Sequence, residues 1–171
     1  MTVPVVAFAA WSNTGKTTYL EKLIPLLKAA GLRVGVLKHD GHDFALDLEG
    51  SDTDRLACAG ADAAAIASPF AFAYMEQRSV GPENAVRHFQ NVDLILAEGY
   101  KNGPFPTIAL YREASGKPLA LPAEECLAIV SDSPLEAPCP VLPLEDPTPM
   151  AAFLMKWMRE QRGERRDVSH P

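Results

Sequence analysis

Eight consecutive residues near the start of the chain have the types and the spacing of a phosphate-binding loop. They read Ala-Trp-Ser-Asn-Thr-Gly-Lys-Thr from Ala10 to Thr17, and they match the pattern GxxxxGK[ST] at every fixed position except the first. In such a loop, successive backbone N–H groups point at the β-phosphate of a nucleotide. Lys16 is then expected to bridge the β- and γ-phosphates, Thr17 to bind Mg²⁺ through its hydroxyl, and Thr18 to contact the α-phosphate. The predicted chemistry is nucleotide binding.

Ala10 is the departure from the pattern. If this position required a positive φ, an alanine there would cost on the order of 1 kcal/mol and the loop would be strained or loose. The alternative to a phosphate loop is a helix cap that contains glycine beside an incidental lysine. The loop lies between a buried strand and an amphipathic helix, and this placement favours phosphate binding because the helix N-terminus adds positive potential.

Two carboxylates follow predicted strands and are candidates for a metal or catalytic role. Glu98 ends the run Val92 to Ala97, and Asp40 follows the run Val34 to Leu37. In an open parallel sheet, ligands lie beyond the carboxyl ends of the strands, so both residues are expected near the phosphates. Either carboxylate is suited to hold Mg²⁺, directly or through water, or to orient an attacking water. The alternative for each is a solvated residue at a strand end.

Other polar residues in the same regions allow weaker interpretations. His39 and His42 bracket Asp40, but solvated loop histidines are commoner than metal ligands. Asp132 follows a strand, where it is suited either to accept hydrogen bonds from guanine or to cap a turn. Candidate contacts for an anionic partner, with a solvated charge as the alternative for each, are Arg55, Lys101 and Arg112.

The elements that must position these residues follow from hydrophobic patterning. Short apolar runs predict parallel strands. These runs are Val3 to Ala9, Val34 to Leu37, Val92 to Ala97, Thr107 to Tyr111 and Leu127 to Val130. Helical spacing predicts one helix from about Leu20 to a C-cap at Gly31, with Pro25 inside it, and a last helix that begins near Pro149.

Between these elements the pattern is weaker. Gly41 to Asp54 predicts a loop that leads into a short helix to Ala59, and Pro82 to Gln90 predicts a weak helix. Ala63 to Ala67 and Ala71 to Met75 fit either a hairpin or two strands at a sheet margin. The prolines from Pro134 to Pro149 exclude a helix there and leave room for a short strand at Val141 and Leu142. The expected fold is α/β, with three layers around a mostly parallel central sheet.

Composition limits the classes of protein. The 171 residues, 47% of them hydrophobic, fit a single nucleotide-binding domain over residues 1–163, with a polar, disordered tail over 164–171. The formal net charge of −6 argues against nucleic acid as a partner, and no apolar run is long enough to span a membrane. Three widely spaced cysteines lack zinc-site spacing and are typical of thiols in a reducing compartment. A cytoplasmic protein is expected.

Three motifs together resemble the molybdopterin-guanine dinucleotide biosynthesis protein B family, whose members are GTP-binding adapters. The first motif is the phosphate loop with the helix that follows it, Pro25 included. The second is Lys38-His39-Asp40-Gly41-His42-Asp43-Phe44, with Gly50 to Arg55 and Ala59-Gly60-Ala61 downstream. The third runs from Val92 to Lys101. The resemblance spans about Val3 to Arg112 and is far more specific than the phosphate loop alone.

The resemblance implies a P-loop NTPase-like fold, GTP with Mg²⁺, slow hydrolysis at most, a homodimer, and partnership with the enzyme that attaches GMP to molybdopterin. It carries nucleotide contacts onto Ser12, Asn13, Thr14, Gly15, Lys16, Thr17 and Thr18. It also makes Asp40 and Glu98 candidates near the metal, and Lys101 a candidate anion contact. The patterns leave two alternatives: a small-molecule kinase that uses the same loop, and a nucleotide-gated interaction module without catalysis. The arginines are scattered and form no arginine-rich lid, which argues against the kinase.

Overall fold

The computed structural model describes residues 3–40, 44 and 47–167, with side chains described as far as Gly163. The chain forms two compact units. The first unit consists of the residues up to His39 together with those from Pro82 onward, and the second is Asp40 to Gly81. The phosphate loop and Glu98 therefore belong to the first unit, whereas Asp40 begins the second.

A six-stranded sheet forms the centre of the first unit, and every neighbouring pair in it is parallel. The strands are Val5–Ala9 (β1), Val34–Lys38 (β2), Leu94–Glu98 (β5), Thr107–Tyr111 (β6), Cys126–Ser131 (β7) and Val141–Pro143 (β8). They lie in the order β2-β5-β1-β6-β7-β8. The predicted apolar runs are thus confirmed as strands, and β1, which leads into the phosphate loop, is central.

Alternation along β1 explains how the core surrounds the sheet. Val6 and Phe8 point to one face, where they pack with helices α1 (Lys16–Ala29) and α4 (Thr148–Asp167). Val5 and Ala7 point to the opposite face, which packs against Phe89 and other half-buried residues. A buried strand flanked by two cores gives the predicted three-layer α/β architecture.

Helix α1 follows the phosphate loop and ends as the sequence predicts. It runs through Pro25, and it terminates in a motif in which Gly31 has φ +87°. The Gly31 N–H donates to the Lys28 carbonyl and the Leu32 N–H donates to the Leu27 carbonyl, the two bonds of a Schellman C-cap. The loop is therefore held between a central strand and a helix that is closed at its far end.

Two helix predictions are modified by the structure. Only Pro82–Ala85 is α-helical (α3), and Val86–His88 forms a 3₁₀ turn, where a single helix to Gln90 was expected. Phe89 leaves the turn with extended backbone and packs against Gly35, where an added Cβ would lie 2.6 Å from the Phe89 ring. At the other end of the chain α4 continues past Gly163 to Asp167, and the remainder of the predicted tail, 168–171, lies outside the described residues.

The second unit contains a short helix and a hairpin. Helix α2 (Asp52–Cys58) begins after Ser51, whose hydroxyl accepts a hydrogen bond from the Asp54 N–H. Strands β3 (Ala63–Ala67) and β4 (Phe72–Glu76) pair antiparallel, which decides between the two interpretations of these runs in favour of a hairpin. They form a two-stranded sheet of their own. Over the part of the chain that the structure describes, no helix is long and apolar enough to cross a membrane.

Candidate functional site

The phosphate loop takes its shape from two residues in the left-handed region. Asn13 has φ 67° and Gly15 has φ 93°. Asparagine tolerates this region better than other side chains, and glycine enters it without steric cost. Ala10 is not among the described residues with positive φ, so the strain considered for it does not arise. Ala10 instead packs, half-buried, against the main core cluster.

Thr14 lies between these two residues and forms the hydrogen bonds inside the loop. It is 2% exposed, its hydroxyl donates to the Trp11 carbonyl across 2.8 Å, and its N–H donates to the same carbonyl across 3.3 Å. The Thr14 hydroxyl therefore forms a hydrogen bond within the turn and is not directed toward solvent. It is the buried member of the predicted contact set, whereas Ser12, Asn13, Thr17 and Thr18 are exposed.

The N-terminus of α1 is suited to bind an anion. Gly15 is the N-cap residue, no side chain caps the helix, and the first turn carries no acidic residue. The first intrahelical bond runs from the Tyr19 N–H to the Gly15 carbonyl, so the N–H groups before Tyr19 have no acceptor within the helix. Such N–H groups, together with the helix dipole, favour phosphate.

Glu98 meets the loop at the carboxyl end of β5. Its Oε1 accepts a hydrogen bond from Thr17 Oγ1 at 3.0 Å and lies 3.5 Å from Lys16 Nζ. The side chains of Lys16 and Glu98 are 17% and 15% exposed. An ammonium, a hydroxyl and a carboxylate thus converge in front of the helix N-terminus. The structure brings together these three of the predicted site residues.

The backbone after Glu98 is shaped to allow this convergence. The His39 N–H donates to the Glu98 carbonyl across 2.8 Å, which extends the pairing of β2 with β5 by one residue. Gly99 has φ +92°, and a Cβ there would lie 3.1 Å from the His39 carbonyl oxygen. Glycine is required at this position because of both the conformation and the close approach. Asp40, the next predicted site residue, is exposed and opens the second unit.

Lys101 lies beside the loop, above an aromatic ring. Its Nζ is 4.9 Å from the centroid of the Trp11 ring, within the range of a cation–π contact. The Trp11 indole N–H donates to the Pro118 carbonyl across 2.9 Å, which fixes the ring. The sequence suggested an anion contact for Lys101, and the structure adds an aromatic neighbour inside the phosphate loop.

Arg112 contacts the loop from the end of β6, a position that the sequence singled out only as a candidate anion contact. Its Nε donates to the Thr14 carbonyl across 3.1 Å. Asp132 and Glu145 lie near its terminal nitrogens. Asp132 also accepts a hydrogen bond from the Glu113 N–H at 2.8 Å, and this contact favours the turn-capping interpretation of that residue. No signal in the sequence connected these distant residues.

The donor set suits Mg²⁺ better than a transition metal. A hydroxyl from Thr17 and a carboxylate from Glu98 are oxygen ligands, and Mg²⁺ takes one or two protein groups beside phosphate and water. Within the described ranges, no group of three or more histidine, cysteine, aspartate or glutamate side chains is placed to hold a metal. His42, considered for such a cluster, lies outside the described residues.

The chain is similar to known proteins both in sequence and in fold. The family model described as molybdopterin guanine dinucleotide synthesis protein B matches residues 5–132. The chain is 38% identical over 169 residues to the molybdopterin-guanine dinucleotide biosynthesis adapter protein of Escherichia coli (strain K12), over 94% of this chain and 97% of that protein. It is 35% identical over 167 residues to the protein of the same description from Haemophilus influenzae (strain ATCC 51907 / DSM 11121 / KW20 / Rd), over 95% and 94% of the two chains. The crystal structure of Bacillus subtilis MobB superimposes with a TM-score of 0.72 at 24% identity, over 90% and 96% of the two chains, which supports the fold.

Proposed function

The chain belongs to the molybdopterin guanine dinucleotide synthesis protein B family, and we propose that it is a GTP-binding adapter of molybdopterin guanine dinucleotide biosynthesis. Mg²⁺-GTP would be held by the phosphate loop, and hydrolysis would be slow at most. The two relatives described above are named as adapter proteins, and the alignment with this chain covers nearly their whole lengths. This similarity supports the same role for this chain.

The observation that carries nucleotide binding is the convergence of Lys16, Thr17 and Glu98 at the uncapped N-terminus of α1. Lys16 would neutralise the β- and γ-phosphates, and the backbone N–H groups before Tyr19 would bind the phosphate oxygens. Ser12, Asn13 and Thr18 would complete the contacts from the exposed side of the loop. Bound Mg²⁺ would supply charge neutralisation between the phosphates, with Thr17 and Glu98 as the residues that hold it.

The contacts of Glu98 are consistent with the slow hydrolysis that we propose. Glu98 is occupied by Thr17 and Lys16, and it would orient a water only after exchanging those contacts. Asp40 is proposed as a second carboxylate for the metal or for the water, and Lys101 as an anion contact next to Trp11. The kinase alternative needs arginines that close over a transferred phosphate. Arg33 is instead paired with Asp93, and Arg112 with the loop backbone.

The proposed partner is the guanylyltransferase-type enzyme that joins GMP to molybdopterin. An adapter that presents a nucleotide or a surface to such an enzyme needs no strong catalytic base. We place this activity in the cytoplasm, where thiols persist. All three cysteines are free, and burial raises the pKa of the Cys126 thiol to about 11, so this thiol stays protonated and unreactive near neutral pH.

A homodimer is part of the proposal, and the hairpin supports it. One face of the hairpin, here called the aromatic face, consists of Ala63, Ala65, Ala67, Phe72 and Tyr74, with Glu76 at its end opposite Ala63. Phe72 is 71% exposed and Tyr74 is 49% exposed. Exposed apolar faces mark interaction sites, and a two-stranded sheet alone is only marginally stable in water. A second copy of the chain, pairing the same surface about a two-fold axis, would cover the aromatic face.

The deciding experiment is a titration of GTP and of ATP, each with Mg²⁺, against the wild type, Lys16→Ala and Lys22→Ala. Lys22 is an exposed lysine of the same helix and serves as the matched control. We expect the wild type to bind GTP. Lys16→Ala should weaken binding at least about a hundredfold, because it removes a close charge pair with the phosphates and its hydrogen bonds. Lys22→Ala should leave the affinity unchanged. Binding indifferent to Lys16 contradicts the proposal. A preference for ATP with phosphorylation of an acceptor would instead favour the kinase.

A further inference from the structure

Arg112 contacts the phosphate loop at Thr14, the residue before the N-cap of α1. Its Nε donates to the Thr14 carbonyl at 3.1 Å, although the two residues are 98 positions apart in the chain. Thr14 is buried, and both its hydroxyl and its N–H bond to the Trp11 carbonyl. Arg112 is thus connected through one buried residue to the turn that shapes the loop.

The guanidinium also packs on the glycine of the loop. A Cβ added to Gly15 would lie 3.4 Å from one terminal nitrogen of Arg112 and 3.9 Å from Nε. The guanidinium therefore lies beside the backbone at Thr14 and Gly15, at a distance where an added Cβ would make ordinary van der Waals contact. Glycine is favoured at position 15 by its φ of +93°, which disfavours a side chain.

Two acidic residues lie near the terminal nitrogens of Arg112. One terminal nitrogen lies 4.0 Å from Asp132 Oδ2, and the other lies 3.7 Å from Glu145 Oε1. Asp132 is itself anchored by the Glu113 N–H. Arg112, Asp132 and Glu145 follow β6, β7 and β8, so three strand ends converge on one side of the loop. The Nε hydrogen bond and the two nearby carboxylates together use the planar, three-nitrogen geometry that arginine has and lysine lacks.

We infer that Arg112 is a positioning residue for the proposed nucleotide site: it holds the Thr14 carbonyl outward so that the neighbouring N–H groups face the phosphates. Because Nε donates to the Thr14 carbonyl and the terminal nitrogens lie near two carboxylates, the guanidinium acts on the nucleotide through the loop. A hydrogen bond from a charged donor to a backbone carbonyl is among the stronger kinds in proteins. The inference rests on the proposed nucleotide binding.

The test measures loop mobility and nucleotide affinity separately. The chain has two tryptophans, Trp11 in the loop and the buried Trp157, so a Trp157→Phe background leaves Trp11 as the reporter. In this background, Arg112→Gln is compared with Arg87→Gln, which removes an exposed arginine from the 3₁₀ turn. Acrylamide quenching of Trp11 without nucleotide reports the loop, and titration of Mg²⁺-GTP reports binding.

We expect Arg112→Gln to increase quenching of Trp11 and to weaken Mg²⁺-GTP binding about tenfold, with Arg87→Gln unchanged in both. Unchanged GTP affinity overturns the inference. Weakened affinity with unchanged quenching also overturns it, since the guanidinium would then act on the nucleotide directly. Should Arg112→Gln fail to fold, Arg112→Lys keeps the charge without the fork and is expected to change both measurements in the same direction.

The proposed function and the inference fail in different ways. If the wild type does not bind GTP, the proposed function fails, and the quenching measurement still decides whether Arg112 holds the loop. If the wild type binds GTP and Arg112→Gln binds it equally well, only the inference fails. Asp132→Asn provides a second variant, with smaller changes expected in the same direction because it loosens the fork without removing the bond to Thr14.

Discussion

The hydroxyl of Thr17 donates to the carboxylate of Glu98 across 3.0 Å, although the two residues lie 81 positions apart in the chain. Thr17 lies in the first turn of α1, and Glu98 ends β5. Because β1 and β5 are neighbours in the sheet, the end of β5 comes to the start of the helix that follows β1. The pair of oxygens in the proposed Mg²⁺ site is therefore a product of the strand order.

Thr17→Val removes the hydroxyl with little change of shape. We expect Mg²⁺-dependent GTP affinity to fall about tenfold, as for the loss of a hydrogen bond to a charged group, while Thr17→Ser retains most of it. Calorimetric titration at several Mg²⁺ concentrations measures the effect. Equal affinities for the valine and serine variants would exclude the hydroxyl as a ligand.

Glu98→Gln removes one negative charge and keeps an oxygen that can accept from Thr17. The variant should lose about tenfold in GTP affinity when Mg²⁺ is present. With chelator it should bind at least as well as the wild type, since an uncompensated carboxylate repels phosphate. Glu83→Gln, in an exposed position of α3, is the matched control. A loss of equal size with and without Mg²⁺ would argue against a metal role.

Gly15→Ala places a side chain at φ +93°, next to the guanidinium of Arg112. We expect a loss of about 1–2 kcal/mol in the free energy of unfolding, the cost of the left-handed region for an L-residue. Gly163→Ala should instead raise it by up to about 1 kcal/mol, because Gly163 lies inside α4 with nothing within 4 Å of an added Cβ. Urea unfolding of both variants shows whether the free energy of unfolding falls for Gly15→Ala and rises for Gly163→Ala.

The ion pair between Arg33 and Asp93 predicts a pH dependence of stability. Hydrogen bonds from the Arg33 side chain lower the pKa of Asp93 from 3.8 to about 2. Since the pKa is depressed in the folded state, the contribution is present above about pH 4 and is lost as the pH falls toward 2. Asp93→Asn should lower the urea midpoint at pH 7, and its difference from wild type should shrink between pH 4 and pH 2. A difference independent of pH would contradict this origin.

Phe72→Ser should shift the proposed homodimer toward monomer, because it removes the most exposed aromatic side chain of the aromatic face. Sedimentation velocity over a concentration series measures the effect. Phe44→Ser, also an exposed aromatic of the second unit, is the control. An unaltered association constant would remove the aromatic face from the dimer interface.

Much of the first unit was predictable because its signals are local. The apolar run before Ala10 predicts a buried strand, and helical spacing up to Gly31 predicts α1 with its C-cap. The motif places Lys16 and Thr17 at the start of that helix, and the strand-end argument adds Glu98, whose contacts with both confirm the predicted proximity. Roles for these residues in binding remain predictions.

The remainder depends on contacts between distant segments. The residues after Ala85 favour a helix only weakly, and packing of Phe89 on Gly35 decides their conformation. The contacts of Arg112 join residues from four separate segments, so no local sequence pattern predicts them. The strain considered for Ala10 was conditional on a positive φ there, and the backbone instead has its left-handed residues at Asn13 and Gly15.

The central place of β1 has a consequence for the order in which the protein is made. Val5 pairs with Ile95, and Ala7 pairs with Thr107, so β1 has both of its partner strands much later in the chain. Until β6 has been synthesised, β1 lacks a neighbour on one side, and its apolar residues are open to association with other chains. The phosphate loop is translated before both strands that flank β1, yet its surroundings can be completed only after β6 has been made.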